Sequence, residues 1–129
     1  MENYSNQREE MIGIIKKLYS HPTAEEIYFL TKQKDPAVSR STVYRNLSFL
    51  VKKGLVTQIA VSNGPDRYDY IADRPKHGHI ICTKCGEMYD FMYDFDTIKE
   101  TIWRQTGVEM YYDGIVITGI CHSCKEAQN

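Results

Sequence analysis

The sequence predicts an α+β fold built from two small parts, and three observations lead to this prediction. Three segments with apolar residues at helical spacing are followed by two β-rich segments around a turn, an order typical of a winged helix. A polar, proline-containing stretch then interrupts the pattern, and all four cysteines follow it. We therefore expect a winged-helix domain over residues 1–71, a hinge at 72–76 and a small α/β domain over 77–129.

The composition is that of a globular protein. Hydrophobic residues make up 42% of the 129 residues, charged residues make up 26%, and the formal net charge is −1. These values exclude collagen-like and disordered chains, and no apolar run is long enough to span a membrane. The first five residues lack the basic and apolar regions of a signal peptide. We expect a cytoplasmic protein, in which paired cysteines bind metals more often than they form disulfides.

Charge is divided unevenly along the chain. Residues 1–56 carry nine Lys and Arg against six Asp and Glu, whereas residues 57–129 carry seven against eleven. The first part can therefore face a polyanion such as DNA, and the second part would be repelled by one. Solvated helix faces give similar counts, so this asymmetry permits DNA binding without establishing it.

Capping residues and apolar stripes predict the first three helices. Asn6 and Thr23 are each followed three residues later by glutamate, which is the pattern of a helix N-terminus. The third helix begins near Ser39 and stops at Gly54, because glycine is favoured just after a helix.

The remaining elements are predicted from β-rich runs, turn residues and one further amphipathic segment. In the first domain they are a strand over Leu55–Val61, a turn over Ser62–Pro65 and a strand over Arg67–Ile71. In the second domain they are strands over His79–Cys82 and Met88–Phe91, a helix from about Asp96 to Gln105 capped by Gly107, and β-rich segments over Val108–Tyr112 and Ile115–Cys121 around Asp113-Gly114.

The third helix has one apolar and one polar face. Its apolar stripe, which we expect to be buried, consists of Val43, Leu47, Leu50 and Val51. The opposite face is either a solvated surface or a DNA-recognition surface, and its place as the third helix before a wing favours recognition. The candidate DNA-contacting residues are Arg40, Ser41, Thr42, Tyr44, Arg45 and Ser48.

The cysteines form two Cys-x-x-Cys pairs, Cys82 with Cys85 and Cys121 with Cys124. Four thiolates at this spacing can close on one tetrahedral zinc ion and leave no open coordination position, so the predicted site is structural. His122 can replace one cysteine as a ligand, although a position inside the loop between the last two cysteines fits it better.

A second candidate metal site lies at the start of the second domain. His77 and His79 are two residues apart in an extended segment, so their side chains share one face. Asp90, on the next predicted strand, can face them. The residues alone leave open whether this set binds a metal or is a chance surface arrangement.

Several segments together resemble the ferric uptake regulator (Fur) family. In order along nearly the whole chain, they are HPTAEEIY at His21–Tyr28, STVYRNL at Ser41–Leu47, HGHIICTKCG at His77–Gly86 and the final Cys-x-x-Cys. The resemblance implies a homodimeric bacterial transcription regulator with an N-terminal winged helix and a C-terminal dimerisation domain. It also implies binding to palindromic operator DNA and no enzymatic activity, organic cofactor or membrane partner.

The resemblance further implies a regulatory metal site. The family's ligands map onto His21, Asp69, His77, His79 and Asp90. Imidazole and carboxylate ligands suit Fe(II), Mn(II) or Zn(II), and the family favours the first two. Aspartate at positions 69 and 90 resembles the peroxide-sensing (PerR) branch, in which iron and hydrogen peroxide oxidise a ligand histidine and end repression. The implied oxidation targets are His21 and His77.

Two other functions stay open. An iron- or manganese-responsive repressor of the same family would lack peroxide sensitivity in its Fe(II) form. The second is a zinc enzyme or a zinc-ribbon interaction module, and failure to bind duplex DNA with any metal would favour either over a regulator. An open coordination position on zinc would support the enzyme.

Overall fold

The structure, a computed structural model, describes residues 4–18, 21–61, 64–111 and 115–128. Its helices are α1 (Tyr4–Lys17), α2 (Ala24–Lys34), α3 (Arg40–Lys52), α4 (Phe95–Thr106) and α5 (His122–Ala127). Its strands are β1 (Val56–Ile59), β2 (Arg67–Tyr70), β3 (His77–Cys82), β4 (Met88–Met92) and β5 (Val116–Gly119). The predicted α+β fold class is confirmed. No described helix has the length and apolar character needed to cross a membrane.

The chain divides into two compact units, Met1–Arg74 and Pro75–Asn129. The division lies within the segment 72–76 that the sequence analysis assigns to a hinge. The first unit contains three helices and the β1–β2 hairpin, and the second contains the other three strands and two helices.

Side-chain caps fix the starts of α2 and α3, as predicted. The Thr23 hydroxyl accepts a hydrogen bond from the Glu26 backbone N–H at 3.2 Å, and the Ser39 hydroxyl accepts one from the Thr42 N–H at 3.2 Å. Each bond satisfies an N–H that has no partner inside its helix. Gly54 follows α3 with a φ of 76°, a conformation that glycine adopts without a steric cost.

The predicted start of α1 is wrong. The helix begins at Tyr4, so Asn6 lies inside it and does not cap it. An asparagine acts as a cap only where the chain before it leaves helical geometry, and here the helix continues through that position.

The core of the first unit lies between its three helices and the hairpin. Ile27, Val43, Leu47 and Leu50 are buried in it, which confirms most of the stripe predicted for α3, while Val51 is only partly buried. The strands β1 and β2 pair antiparallel, with Val56 opposite Tyr70. Ser62 and Asn63 of the predicted turn lie outside the described residues.

The second unit is a three-stranded sheet in the order β4-β3-β5. The central strand β3 pairs antiparallel with β4 and parallel with β5. It begins at His77, two residues before the predicted start. Asp94 caps α4, and Gly107 ends the helix with a φ of 73°, as predicted.

The β-rich segment after α4 does not form the predicted strand. Residues 108–111 are irregular, and Tyr112, Asp113 and Gly114 lie outside the described residues. The later segment pairs with β3 only over Val116–Gly119. Strand propensity reflects side-chain packing against a neighbouring strand, so a β-rich run without a partner does not become a strand.

The second unit buries little apolar surface. Among its described residues, the buried hydrophobic side chains are those of Ile81, Cys82 and Met88, and none of the residues in α4 or β5 is buried. Met92 and Trp103 are both more than half exposed. A unit of this size therefore needs other sources of stability.

We expect the substitution Gly78→Ala to destabilise the second unit by about 1–3 kcal/mol. Gly78 lies opposite Phe91 in the β3–β4 pair, and a Cβ atom at Gly78 would overlap the Phe91 ring. Gly119→Ala is the matched control, because its Cβ would meet only the end of the Ile80 side chain at 3.4 Å. Thermal denaturation that ranked both variants equally would contradict this explanation.

Candidate metal centres and DNA-binding surface

The strand register of the second unit brings the two cysteine pairs together. Cys82 ends β3 opposite Gly119, which ends the parallel strand β5, so Cys121 follows at the same edge of the sheet. A turn closed by a 2.9 Å hydrogen bond from the Gly86 N–H to the Cys82 carbonyl returns Cys85 toward this edge. The short helix α5 then places Cys124 near its first turn.

The four sulfur atoms form a compact cluster. Each lies within 4.8 Å of the others, and none is in a disulfide. The Cys85 and Cys121 sulfurs are 3.8 Å apart. A tetrahedral zinc ion with Zn–S bonds of about 2.3 Å separates its ligand sulfurs by roughly 3.8 Å. The cluster therefore has the ligand chemistry and spacing of a structural zinc site.

The thiols of the cluster differ in acidity. Hydrogen bonds from the backbone N–H groups of Cys85 and Cys121 lower the pKa of Cys82 to about 6. The side-chain hydrogen bond with Cys121, together with burial, raises the pKa of Cys124 to about 12. Neighbouring thiolates repel one another, so a divalent cation is the natural stabiliser of a fully deprotonated cluster.

His122 is not part of the sulfur cluster. The predicted loop between Cys121 and Cys124 is wrong, because His122 is the first residue of α5. Its Nε2 lies 3.0 Å from the Glu126 carboxylate, one helical turn later, and both side chains are exposed. His122 is therefore a surface residue that points to a carboxylate.

In the first unit, His21 and Asp69 are brought together by the attachment of residues 21–23 to β2. The Tyr68 N–H donates a 2.8 Å hydrogen bond to the Pro22 carbonyl, and Thr23 forms a β-bridge with Arg67. As a result, a ligand atom of His21 lies within 4.8 Å of one of Asp69, and both residues are buried.

The backbone of His21 is strained. Its φ is 58°, and no other non-glycine residue in the described part of the chain has a positive φ. This left-handed conformation costs about 1–2 kcal/mol for a residue with a Cβ. The hydrogen bond at Pro22 and the bridge at Thr23 hold the chain in place beside it, so His21 keeps a defined position next to Asp69.

Asp69 has an arginine partner that the sequence pattern did not indicate. The Arg74 Nη1 donates to the Asp69 Oδ1 at 2.8 Å, and the Asp69 side chain is only 5% exposed. The two residues are five positions apart and no motif links them, so only the folded chain reveals the pair.

In the second unit, His77, His79 and Asp90 lie on one face of the sheet, as expected. The rings of His77 and His79 contact edge to face, with centroids 4.9 Å apart. Asp90 is opposite His79 in the strand register, and its Oδ1 lies 3.4 Å from the His79 Nε2. Both histidines are buried, whereas Asp90 is at the surface.

The tautomer of His77 follows from its hydrogen bond. Its Nδ1 lies 2.9 Å from the Pro75 carbonyl oxygen, which can only accept, so Nδ1 carries the proton. Nε2 is then the ring nitrogen that can bind a metal. A ligand histidine that donates its other N–H to a carbonyl is the usual arrangement in protein metal sites.

The predicted DNA-contacting residues of α3 fall into two groups. Arg40 donates to the Glu25 carboxylate at 2.9 and 3.2 Å, and the Tyr44 hydroxyl donates to it at 3.4 Å. This hydrogen bond from Arg40 lowers the pKa of Glu25. The Thr42 hydroxyl shares a 2.9 Å hydrogen bond with Ser39. The Ser41 hydroxyl also shares a 3.1 Å hydrogen bond with Ser39. The second group consists of Arg45 and Ser48, and these two residues are exposed, as are Arg40, Ser41 and Tyr44.

A comparison with protein-family models identifies the family of this chain. The model described as the ferric uptake regulator family matches residues 3–117 of the chain. The chain belongs to the ferric uptake regulator family. This result agrees with the motifs of the sequence and with the fold of both units.

Individual Fur-family proteins show the same relationship. The peroxide-responsive repressor PerR of Staphylococcus epidermidis is 33% identical over 124 residues, which cover 95% of this chain and 81% of that protein. The peroxide stress regulator of Campylobacter jejuni is 30% identical with a TM-score of 0.82, over 94% and 90% of the two chains. The ferric uptake regulator of Helicobacter pylori is 28% identical with a TM-score of 0.80, and the match covers 100% of this chain and 85% of that chain.

We expect Cys85→Ser to remove zinc from this Fur-family protein and to destabilise it by more than about 2 kcal/mol, because three thiolates and a hydroxyl bind zinc poorly. The measurements are metal content by mass spectrometry and thermal unfolding. Ser123→Ala, inside the second Cys-x-x-Cys pair, is the matched control and should keep zinc and stability. A zinc-replete, stable Cys85→Ser protein would contradict the structural role.

Proposed function

We propose that this protein is a metal-dependent transcriptional repressor that binds operator DNA as a homodimer, senses peroxide and acts in the cytoplasm. Membership of the Fur family and the similarity to peroxide-responsive relatives support this proposal. The proposed activity is regulated DNA binding, not enzymatic turnover. The sulfur cluster would hold a structural Zn(II), and a second site would hold Fe(II) or Mn(II).

The burial of ionisable groups is the observation that carries the proposal. Among the described residues, six polar or charged ones are buried, and four of them are His21, Asp69, His77 and His79. Burying such groups is costly unless they have strong partners, and a metal ion is a strong partner for imidazole and carboxylate together. Because most of the buried polar residues belong to the proposed ligand set, a metal site is a better explanation than a chance arrangement of side chains.

The proposed regulatory ligands come from both units. His21 and Asp69 belong to the first unit, and His77, His79 and Asp90 belong to the second. We infer that one ion is bound by ligands of both, so that only one arrangement of the units offers the full set. A ligand shifts an equilibrium only through its preference for one state, and moving it from 1:99 to 99:1 takes about 5.5 kcal/mol. In this way the metal would select the DNA-binding arrangement.

The oxygen ligands favour iron or manganese over zinc at this site. Three histidines and two aspartates give a mixed nitrogen and oxygen set without thiolate. Such a set is typical of Fe(II) and Mn(II), whereas the four cysteines select zinc. The two proposed sites therefore differ in metal preference.

The α3 helix would enter the major groove of the operator. Its exposed residues Ser41, Arg45 and Ser48 can contact phosphates and base edges, and its N-terminal turn offers backbone N–H groups to a phosphate. Arg40, Ser41, Thr42 and Tyr44 would exchange their present hydrogen bonds for contacts with DNA. A dimer presents two such helices, so the matching operator is palindromic.

The second unit would supply the dimer interface. The sheet and α4 expose apolar side chains, including those of Tyr89, Met92, Trp103 and Ile117. Large exposed apolar patches mark interaction surfaces in proteins of this size. Pairing of two copies through this surface would add the buried area that the second unit lacks.

Peroxide sensing would act through the ligand histidines. The proposed ligands would hold Fe(II), which would supply the activation of hydrogen peroxide. One peroxide oxygen would be inserted into a C–H bond of a ligand imidazole, and the other would leave as water. His21 and His77 are the proposed targets. An oxidised imidazole is a poorer ligand, so the bound arrangement would be lost and the DNA released. Manganese would support DNA binding without this reaction.

We expect His77→Ala to abolish metal-dependent DNA binding while the protein keeps its zinc. Without His77, the second unit loses one of its three proposed ligands to the regulatory ion. Operator binding would be measured by fluorescence anisotropy with and without Mn(II).

His122→Ala is the matched control, because His122 is an exposed histidine paired with Glu126 and outside the proposed ligand set. It should bind DNA with the same Mn(II) dependence as the wild type. If His77→Ala also kept that dependence, His77 would not be a ligand of the regulatory ion.

A further inference from the structure

The pair formed by Arg74 and Asp69 is an ion pair between a nearly buried carboxylate and a partly exposed cation. Asp69 is 5% exposed at its side chain, whereas Arg74 is 31% exposed, and the two are 2.8 Å apart. The buried aspartate gains most from the contact, because an unpartnered buried carboxylate is unfavourable. A cationic partner therefore stabilises Asp69, and Arg74 is such a partner in this structure.

The surroundings give the arginine room to move. Arg74 and Asp69 line a cavity of about 300 Å³ in the first unit. The cavity is also lined by a second ion pair, in which the Lys16 amine lies 3.4 Å from Asp73. Because Arg74 and Asp69 both line this cavity, a guanidinium that leaves Asp69 can remain in a space that also holds the side chains of Lys16 and Asp73.

We propose that Arg74 is an internal competitor of the regulatory metal for Asp69. This inference rests on the proposed function, in which Asp69 is a metal ligand. The guanidinium and the metal are both cations that require the same carboxylate, so metal binding has to weaken or break the Arg74–Asp69 pair. Arg74 thereby lowers the affinity of the site and sets the metal concentration at which the repressor becomes active.

Arg74 would also stabilise the protein when no metal is bound. Arg74, which neutralises Asp69, is the last residue of the first unit. Removing a single partner from a buried pair leaves an uncompensated charge, which is more costly than removing an exposed pair. The same side chain would thus stabilise the protein without metal and oppose its conversion to the metal-bound form.

The test measures Mn(II) affinity of the full-length, zinc-loaded protein by isothermal titration calorimetry. We expect Arg74→Gln to bind Mn(II) roughly tenfold more tightly than the wild type, the scale of one charge-assisted hydrogen bond. Thermal unfolding without Mn(II) should show a lower Tm for the same variant. Arg74→Lys, which keeps a cation, should stay close to the wild type in both measurements.

Lys16→Gln is the matched control, because it removes one positive charge from the same cavity without touching Asp69. Its partner Asp73 is 62% exposed, so the pair is screened by solvent, and Mn(II) affinity should change less than twofold. Equal or weaker Mn(II) binding by Arg74→Gln, or an equal gain from Lys16→Gln, would overturn the inference.

A further variant separates failure of this inference from failure of the proposed function. Asp69→Asn should lose most of its Mn(II) affinity if Asp69 is a ligand. If Asp69→Asn binds poorly and Arg74→Gln binds like the wild type, only the role of Arg74 is wrong. If Asp69→Asn binds as well as the wild type, both Asp69 as a ligand and Arg74 as its competitor are wrong.

Discussion

The burial of imidazole and carboxylate groups is the constraint on which both the structure and the proposed function depend. His79 is fully buried, and His77, His21 and Asp69 are nearly so. Burying such groups is costly unless strong partners satisfy them, and within the protein Asp69 pairs with Arg74 while the His77 Nδ1 donates to the Pro75 carbonyl. In the proposed function a metal ion would become a further partner of these side chains, and the arrangement that binds it would be favoured where that ion is available. The strained backbone of His21 is a second energetic cost at this place, and it persists because the surrounding structure holds the residue in that conformation.

The second unit shows how metal ligation can replace a hydrophobic core. Among its described residues, the buried apolar side chains other than Cys82 are those of Ile81 and Met88, yet the unit holds three strands in register. The parallel pairing of β3 and β5 brings the ends of both strands to one edge, where the four sulfurs gather. A zinc ion there would fasten the end of the chain to the central strand. The exposed apolar surface that remains is then available to a second copy of the chain.

Local interactions made much of this structure predictable, and long-range ones did not. Thr23 and Ser39 cap their helices through backbone groups three residues away, so their roles are visible in the sequence. The two Cys-x-x-Cys pairs likewise show their chemistry in their spacing, whereas the His-x-His pattern needed the family resemblance to be interpreted as a set of metal ligands. Residues 108–111 failed to form a strand because pairing depends on a distant partner. The Arg74–Asp69 pair and the left-handed backbone of His21 also form only when the chain folds, and no sequence motif predicts either of them.

Peptide mass spectrometry after peroxide treatment tests the central claim most directly. The zinc-loaded protein would be prepared without oxygen, given Fe(II) and then a low concentration of hydrogen peroxide, with a parallel sample in Mn(II). The account predicts one added oxygen atom on a peptide containing His21 or His77, only in the iron sample, and none on the peptide containing His122. Unchanged His21 and His77 peptides in protein with confirmed Fe(II) binding would contradict peroxide sensing and leave a repressor that responds to metal alone.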